Sequence, residues 1–401
     1  MQQDSKQHAE QYHDSESKNV ETSIVKEEND GYKRAGYLRK VCQDDPQSKA
    51  ELSFRGKVRV SYDSFYKIMF CPLCKIASTF WTRVFKMLEF NQARTHSVKT
   101  PFDVPISQAP ASRQYVNLQS GTVDRHDATE SFRFMFVRNP YSMVFSAYVD
   151  KIVGPNPTMW KTFGEAGVKL IRKTNSRACG SDLTFTEFLQ LILYTDKSHR
   201  PLDCHVKQFF ECKPCAVNYT YIGKMETFKD DTYHILNKFG QTQTLEVFNH
   251  SFSALHAEDA IDDSVSGPFS WKNDIVKCMP WAEALGRVWR KLQIRGVVGA
   301  SKFPLSDEEA SLISKEDFKK LVVEHGKTAS SPERSQLKRQ AYQEAFNSVP
   351  NEVLEGIRTV YLREFKLFGY DDRPDELYNK QDTKQQHGML EYSNIKEDIQ
   401  L

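Results

Sequence analysis

The chain has 401 residues, with 55 Lys and Arg against 53 Asp and Glu, a formal net charge of +2 and 39% hydrophobic residues. So balanced a charge excludes a general nucleic-acid role, which needs a basic field. No segment approaches the ~18–20 consecutive apolar residues of a membrane span, and no signal peptide opens the chain.

Residues 1–36 are polar, rich in Gln, Glu, Ser and Asp, and lack an apolar cluster. They read as a disordered segment, because too little apolar surface is present to offset chain entropy. A single enzyme-sized domain is expected over 37–372, with residues 240–345 as a divergent helical region. A second polar tail follows over 373–401.

The first informative element reads FYKIMFCPLCKIASTFWTRVFKML, residues 65–88. Lys67 to Phe70 predicts a buried strand that Pro72 closes. A helix is expected from about Ser78 to Leu88, with Phe80, Trp81, Val84, Phe85 and Leu88 on one face. The first turn of such a helix offers unpaired backbone N–H groups and the positive end of a dipole, so an anion is stabilised there. Lys75 adds a point charge, Ser78 and Thr79 add hydroxyls, and the backbone of Ile76 and Ala77 completes the turn. This is phosphate-loop physics without glycine, since no Gly lies between Phe70 and Trp81.

The second element reads FRFMFVRNPYSMVFSAYVDK, residues 132–151. Phe132 to Val137 predicts a strand, Asn139 an N-cap and Pro140 the first helical residue. Val144, Phe145, Ala147 and Tyr148 face inward. Arg138 stands just before the cap, where a guanidinium can meet a phosphate bidentately. Ser146 lies two turns into the helix, where a hydroxyl has no capping role. Two such elements can hold the two ends of one doubly phosphorylated nucleotide.

Eight cysteines follow: Cys42, Cys71, Cys74, Cys179, Cys204, Cys212, Cys215 and Cys278. An even count fits disulfides in a lumenal compartment, with pairing left open. Cys204, His205, Cys212 and Cys215 have the ligand types of a zinc site, but a second CxxC at zinc-finger spacing is missing, so no metal is expected. Asn218-Tyr219-Thr220 and Asn249-His250-Ser251 are glycosylation sequons. Arg290, Lys291 and Arg295 cluster in VWRKLQIR and read as a solvated basic helix face that an acidic polysaccharide could meet.

Together the blocks resemble the carbohydrate sulfotransferase family, in the branch that sulfates chondroitin, dermatan and N-acetylgalactosamine-bearing glycans. Cys71, Pro72, Lys75, Ser78, Thr79 and Trp81 match its 5′-phosphosulfate motif. Phe136, Val137, Arg138, Pro140, Ser146, Ala147, Tyr148 and Lys151 match its 3′-phosphate motif. His205, Cys212, Pro214, Cys215, Tyr221, Gly223, Lys224 and Glu226 match a third stretch, and YLREFKLFGY resembles the closing one. Cys74, Phe80, Val206 and Glu364 depart from the usual Pro, Asn, Trp and Asp.

The resemblance implies an α/β fold, a P-loop-like parallel sheet flanked by helices, with the nucleotide at the carboxyl ends of the strands. The co-substrate implied is 3′-phosphoadenosine 5′-phosphosulfate, and the acceptor a sugar hydroxyl of a glycosaminoglycan or glycoprotein glycan. Lys75, Ile76, Ala77, Ser78 and Thr79 are expected at the 5′-phosphate, and Arg138 and Ser146 at the 3′-phosphate. Lys75 is also a catalytic candidate. His205 is the first candidate for the general base, His126 the second and Glu226 a further one. The family implies a Golgi-lumenal, type II membrane protein, and no anchoring span is legible here. Two rival readings stand beside this one. A thioredoxin-like redox site at Cys71 and Cys74 is one; a glycan-binding relative without turnover is the other.

Overall fold

The computed structural model describes residues 30–93, 98–105, 107–108, 114–119, 122–123, 130–173, 178–206, 211–380 and 388. His126 lies outside the described residues. Six strands form one sheet: β1 Gly56–Asp63, β2 Ile68–Cys71, β3 Gln114–Gln119, β4 Thr122–Val123, β5 Phe132–Val137 and β6 Tyr221–Lys224, in the spatial order β4-β3-β1-β2-β5-β6. β2, β5 and β6 run parallel, with Phe70 opposite Phe134 and Phe134 opposite Tyr221.

The expected parallel sheet is present as β2, β5 and β6, but the whole sheet is mixed. β1 pairs antiparallel with both β2 and β3, and β3 with β4. The link from Asp63 to Ile68 is a tight turn, in which the Tyr66 N–H donates to Asp63 Oδ1 across 2.8 Å. Such a link closes a hairpin, because parallel neighbours need a crossover of a dozen or more residues.

By internal contacts the chain divides into two compact units where the sequence suggested one span. The described residues of Met1–Arg138, Gln208–His250 and Lys366–Gly369 form the first, which contains the whole sheet. Those of Asn139–Lys207, Ser251–Phe365 and Tyr370–Leu401 form the second.

In the first unit the helix Ser78–Ala93 buries Phe80, Trp81, Val84, Phe85 and Leu88, the face its periodicity predicts. The Trp81 ring lies 4.6 Å from Phe134 and 5.6 Å from Phe136, and Phe70 lies 5.1 Å from Phe134. Helix and parallel strands thus share one aromatic core, which fixes the turn between them. The helix Asp30–Asp44 begins inside the segment read as disordered over 1–36 and moves that boundary. Gly31 lets it approach β6, since a Cβ there would fall 2.0 Å from the Tyr221 ring. Arg34 then closes on the buried Asp231 at 2.8 Å.

Disulfides Cys42–Cys215 and Cys71–Cys212 cross-link this unit, and Cys179–Cys278 the second. None of the eight cysteines is free. The thioredoxin-like reading is thereby overturned: Cys71 is bonded to Cys212, not to Cys74. Cys212 and Cys215 are likewise half-cystines with no thiolate to offer the zinc set weighed above.

The second unit is helical. Its helices include Pro140–Tyr148, Phe185–Lys197, Trp281–Ile294, Lys315–Thr328, Ser331–Asn347 and Asn351–Val360, around Tyr141, Tyr148, Trp160, Phe188, Trp289 and Tyr361. The basic face expected at Arg290, Lys291 and Arg295 is corrected. Lys291 is buried against Asp150 at 2.7 Å, and Arg295 pairs with Asp263 at 2.7 Å. Leu377 in the helix Asp375–Tyr378 is also fully buried, so the polar tail starts later than Arg373. Among the described residues no helix is long and apolar enough to cross a membrane.

Candidate functional site

The turn after β2 is built without glycine because two ordinary residues adopt left-handed backbone, Lys75 at φ 64° and Ala77 at φ 52°. Each such residue costs on the order of 1–3 kcal/mol, and strain of this kind gathers at functional sites. Ile76 locks the turn: its side chain is buried and its N–H donates to the Leu73 carbonyl at 3.2 Å. That N–H is therefore engaged within the turn itself. The helix starts at Ser78, with Ser78 half-buried and Thr79 exposed. Its first-turn N–H groups have no intrahelical acceptor.

Arg138 directly follows β5, and its Nη1 donates to the Lys75 carbonyl at 3.4 Å. Two turns that are distant in sequence therefore meet at one end of the β2–β5 pair. A third cation, Lys224, ends β6, where it stands opposite Val137 in register. Lys75, Arg138 and Lys224 thus mark the carboxyl ends of three adjacent parallel strands. The sequence matched Lys224 to the third stretch of the resemblance without giving it a binding role. The signal was there, since Lys224 closes Tyr221–Lys224 much as Arg138 follows FRFMFV.

Burial holds the Lys224 ammonium below the usual lysine range, and the nearby Arg34 charge adds to this. Its backbone is fixed by Asp231, whose Oδ2 accepts from the Lys224 N–H at 2.8 Å. The same carboxylate accepts from Tyr221 at 2.7 Å, Thr227 at 2.7 Å and Arg34 at 2.8 Å. A buried carboxylate with this many donors is fully satisfied and rigid. It fastens the helix Asp30–Asp44 to the end of β6. Glu226, just beyond, is exposed.

In the second unit Asn139 caps its helix as expected, with Oδ1 accepting from the N–H groups of Tyr141 and Ser142 at 2.9 and 3.3 Å. Ser146 sits on the half-buried strip of that helix, one turn after Ser142. His205 lies in the turn Asp203–Val206, with Nδ1 2.5 Å from Asp203 Oδ1, and its N–H donates to the same oxygen at 2.9 Å. The His205 hydrogen bond, opposed by burial and helped by the Lys151 charge, keeps the Asp203 carboxyl below the usual carboxylate range.

Comparison with known proteins places the chain among sulfotransferases. A family model described as the sulfotransferase family matches residues 59–263. Human carbohydrate sulfotransferase 9 is 26% identical over 242 residues, 57% of this chain and 51% of the relative. Carbohydrate sulfotransferase 14 of Danio rerio is 28% identical over 239 residues, 56% of this chain and 60% of the relative. Carbohydrate sulfotransferase 11 of Rattus norvegicus is 25% identical over 187 residues, 44% of this chain and 52% of the relative. The matches therefore span between half and three-fifths of those relatives. No solved structure gives a significant match.

Proposed function

The chain belongs to the sulfotransferase family, and from that membership we propose that it transfers a sulfonyl group from 3′-phosphoadenosine 5′-phosphosulfate to a sugar hydroxyl. The observation that carries the reading is the Arg138–Lys75 hydrogen bond, which brings two cationic turns to the same end of adjacent parallel strands. A ligand with separate 5′- and 3′-phosphate groups suits such a set, because each turn supplies a cation and one opens a helix.

When bound, the co-substrate supplies an already activated sulfonyl group, so the chain has only to position and stabilise. Lys75, with Ser78, Thr79 and the N–H groups around Ala77, holds the 5′-phosphate. Lys75 offsets the negative charge that grows on that leaving group. Arg138 holds the 3′-phosphate and sets register, with Ser146 as a further hydroxyl in the same role. The acceptor hydroxyl must lose a proton, and His205 is the base we assign, on the strength of the hydrogen bond within its own unit. His126 remains the alternative base.

The named relatives make a glycan the acceptor class, and chondroitin, dermatan and N-acetylgalactosamine-terminated glycans are the ones we propose. Complete oxidation of the cysteines supports a secretory-pathway location such as the Golgi lumen, since disulfides persist in oxidising compartments. The test is incubation with sulfur-labelled co-substrate across those acceptors and desulfated heparin, followed by disaccharide mapping. Label on one acceptor class, lost in Lys75→Ala, is expected. A chain that binds glycan and nucleotide but moves no label would be a binding relative.

A further inference from the structure

The turn Asp203–Val206 is held from several sides. The Val206 N–H donates to the Asp203 carbonyl at 3.1 Å, and Val206 itself is buried. Tyr361, fully buried, donates its hydroxyl to the Val206 carbonyl. Tyr361 belongs to the closing YLREF stretch, so a distant helix end pins the residue beside His205. Within that pinned turn one carboxylate oxygen, Asp203 Oδ1, accepts from both the His205 backbone N–H and Nδ1.

We infer that Asp203 is a positioning residue for His205, fixing the imidazole as the Nδ1–H tautomer so that Nε2 carries the lone pair that takes the acceptor proton. The inference rests on His205 being the base proposed above. Asp203 accepts from Nδ1–H, and an ionised carboxylate can only accept, so the hydrogen must sit on Nδ1. When Nε2 takes the acceptor proton, the resulting imidazolium keeps its Nδ1–H on Asp203. The carboxylate then stabilises that positive charge, while the acceptor oxygen would form its bond to sulfur as the bond from sulfur to the 5′-phosphate oxygen breaks and 3′-phosphoadenosine 5′-phosphate leaves.

The charged groups around the pair agree with an ionised Asp203. Lys151 lies near enough to favour the carboxylate, and it is itself 3.0 Å from Asp150, which also holds Lys291 at 2.7 Å. Cys204, between the two residues, is oxidised and does not titrate. The sequence contained the pair as Asp-x-His, but only the turn shows the two side chains meeting.

The experiment compares wild type, Asp203→Asn and His205→Ala. Nitrogen-15 spectra of His205 report its tautomer without reference to activity, and steady-state kinetics report kcat and KM separately. In wild type the Nδ1–H tautomer is expected, with a mixture in Asp203→Asn. The kcat of Asp203→Asn should fall about a hundredfold or more, with the nucleotide KM within about twofold and melting unchanged. An Nε2–H tautomer in wild type overturns the inference. So does a wild-type kcat in Asp203→Asn while His205→Ala is inactive, which leaves the base assignment standing. Full activity in His205→Ala overturns the base assignment and this inference with it.

Discussion

The Arg138 guanidinium donates to the Lys75 carbonyl at 3.4 Å, although the two residues are 63 positions apart. The contact follows from the register of β2 and β5, in which Cys71 stands opposite Met135. β2 ends at Cys71 and β5 at Val137, and a cationic turn follows each, so parallel pairing brings the two turns together.

Arg138→Ala should raise the dissociation constant for 3′-phosphoadenosine 5′-phosphate by roughly 10- to 100-fold, the equivalent of about 1.5–3 kcal/mol for a charged hydrogen bond. Isothermal titration measures this directly. Unchanged affinity in a variant that melts like wild type would remove the nucleotide from this end of the sheet.

Lys224→Met removes the third cation while leaving Asp231 its Arg34, Tyr221 and Thr227 partners. Nucleotide affinity should fall about tenfold, with little change in melting temperature. If affinity holds and stability drops instead, Lys224 serves the strand end alone.

The Cys71–Cys212 bond closes a separation of 141 residues. Replacing both cysteines with Ser should lower unfolding free energy by about 2–4 kcal/mol through a less restricted unfolded chain. Urea titration tests this, and the wild-type protein should not accelerate insulin reduction by dithiothreitol. Acceleration that disappears in the double variant would revive the redox reading.

Glu364 is buried, and burial pushes its carboxyl up to about 8, with Asp196 adding and Arg363 opposing. In the unfolded chain a glutamate ionises near pH 4.3. Its contribution is therefore fully present below that pH and is lost as pH rises towards 8. Glu364→Gln should flatten this slope and stabilise the protein at pH 8 by on the order of 2–3 kcal/mol. Parallel pH slopes for the two proteins in thermal melts would contradict it.

Local patterns carried much of the fold. The strand Phe132–Val137 is an apolar run interrupted only by Arg133, and Asn139-Pro140 is a local helix-start signal. The face of Ser78–Ala93 was legible because burial follows helical spacing. Lys75 and Arg138 were legible because a cation at a strand–helix turn is a local arrangement. The sequence also held all eight cysteines, but no rule of spacing pairs them.

Tertiary structure decided what depends on distant pairing. The antiparallel β1 changed the sheet from parallel to mixed, and its partner β3 is some fifty residues away. The fate of Cys71 turned on Cys212 rather than on its neighbour Cys74. Lys291 looked like surface charge until Asp150, 141 residues earlier, neutralised it in the interior. Asp203 beside His205 depended on Tyr361, 155 residues beyond Val206, to hold the turn. Backbone propensity and periodicity act over a few residues and so are written locally. Hydrogen bonds, disulfides and ion pairs form between whichever groups the packed chain brings within reach, and that is settled only when the whole core closes.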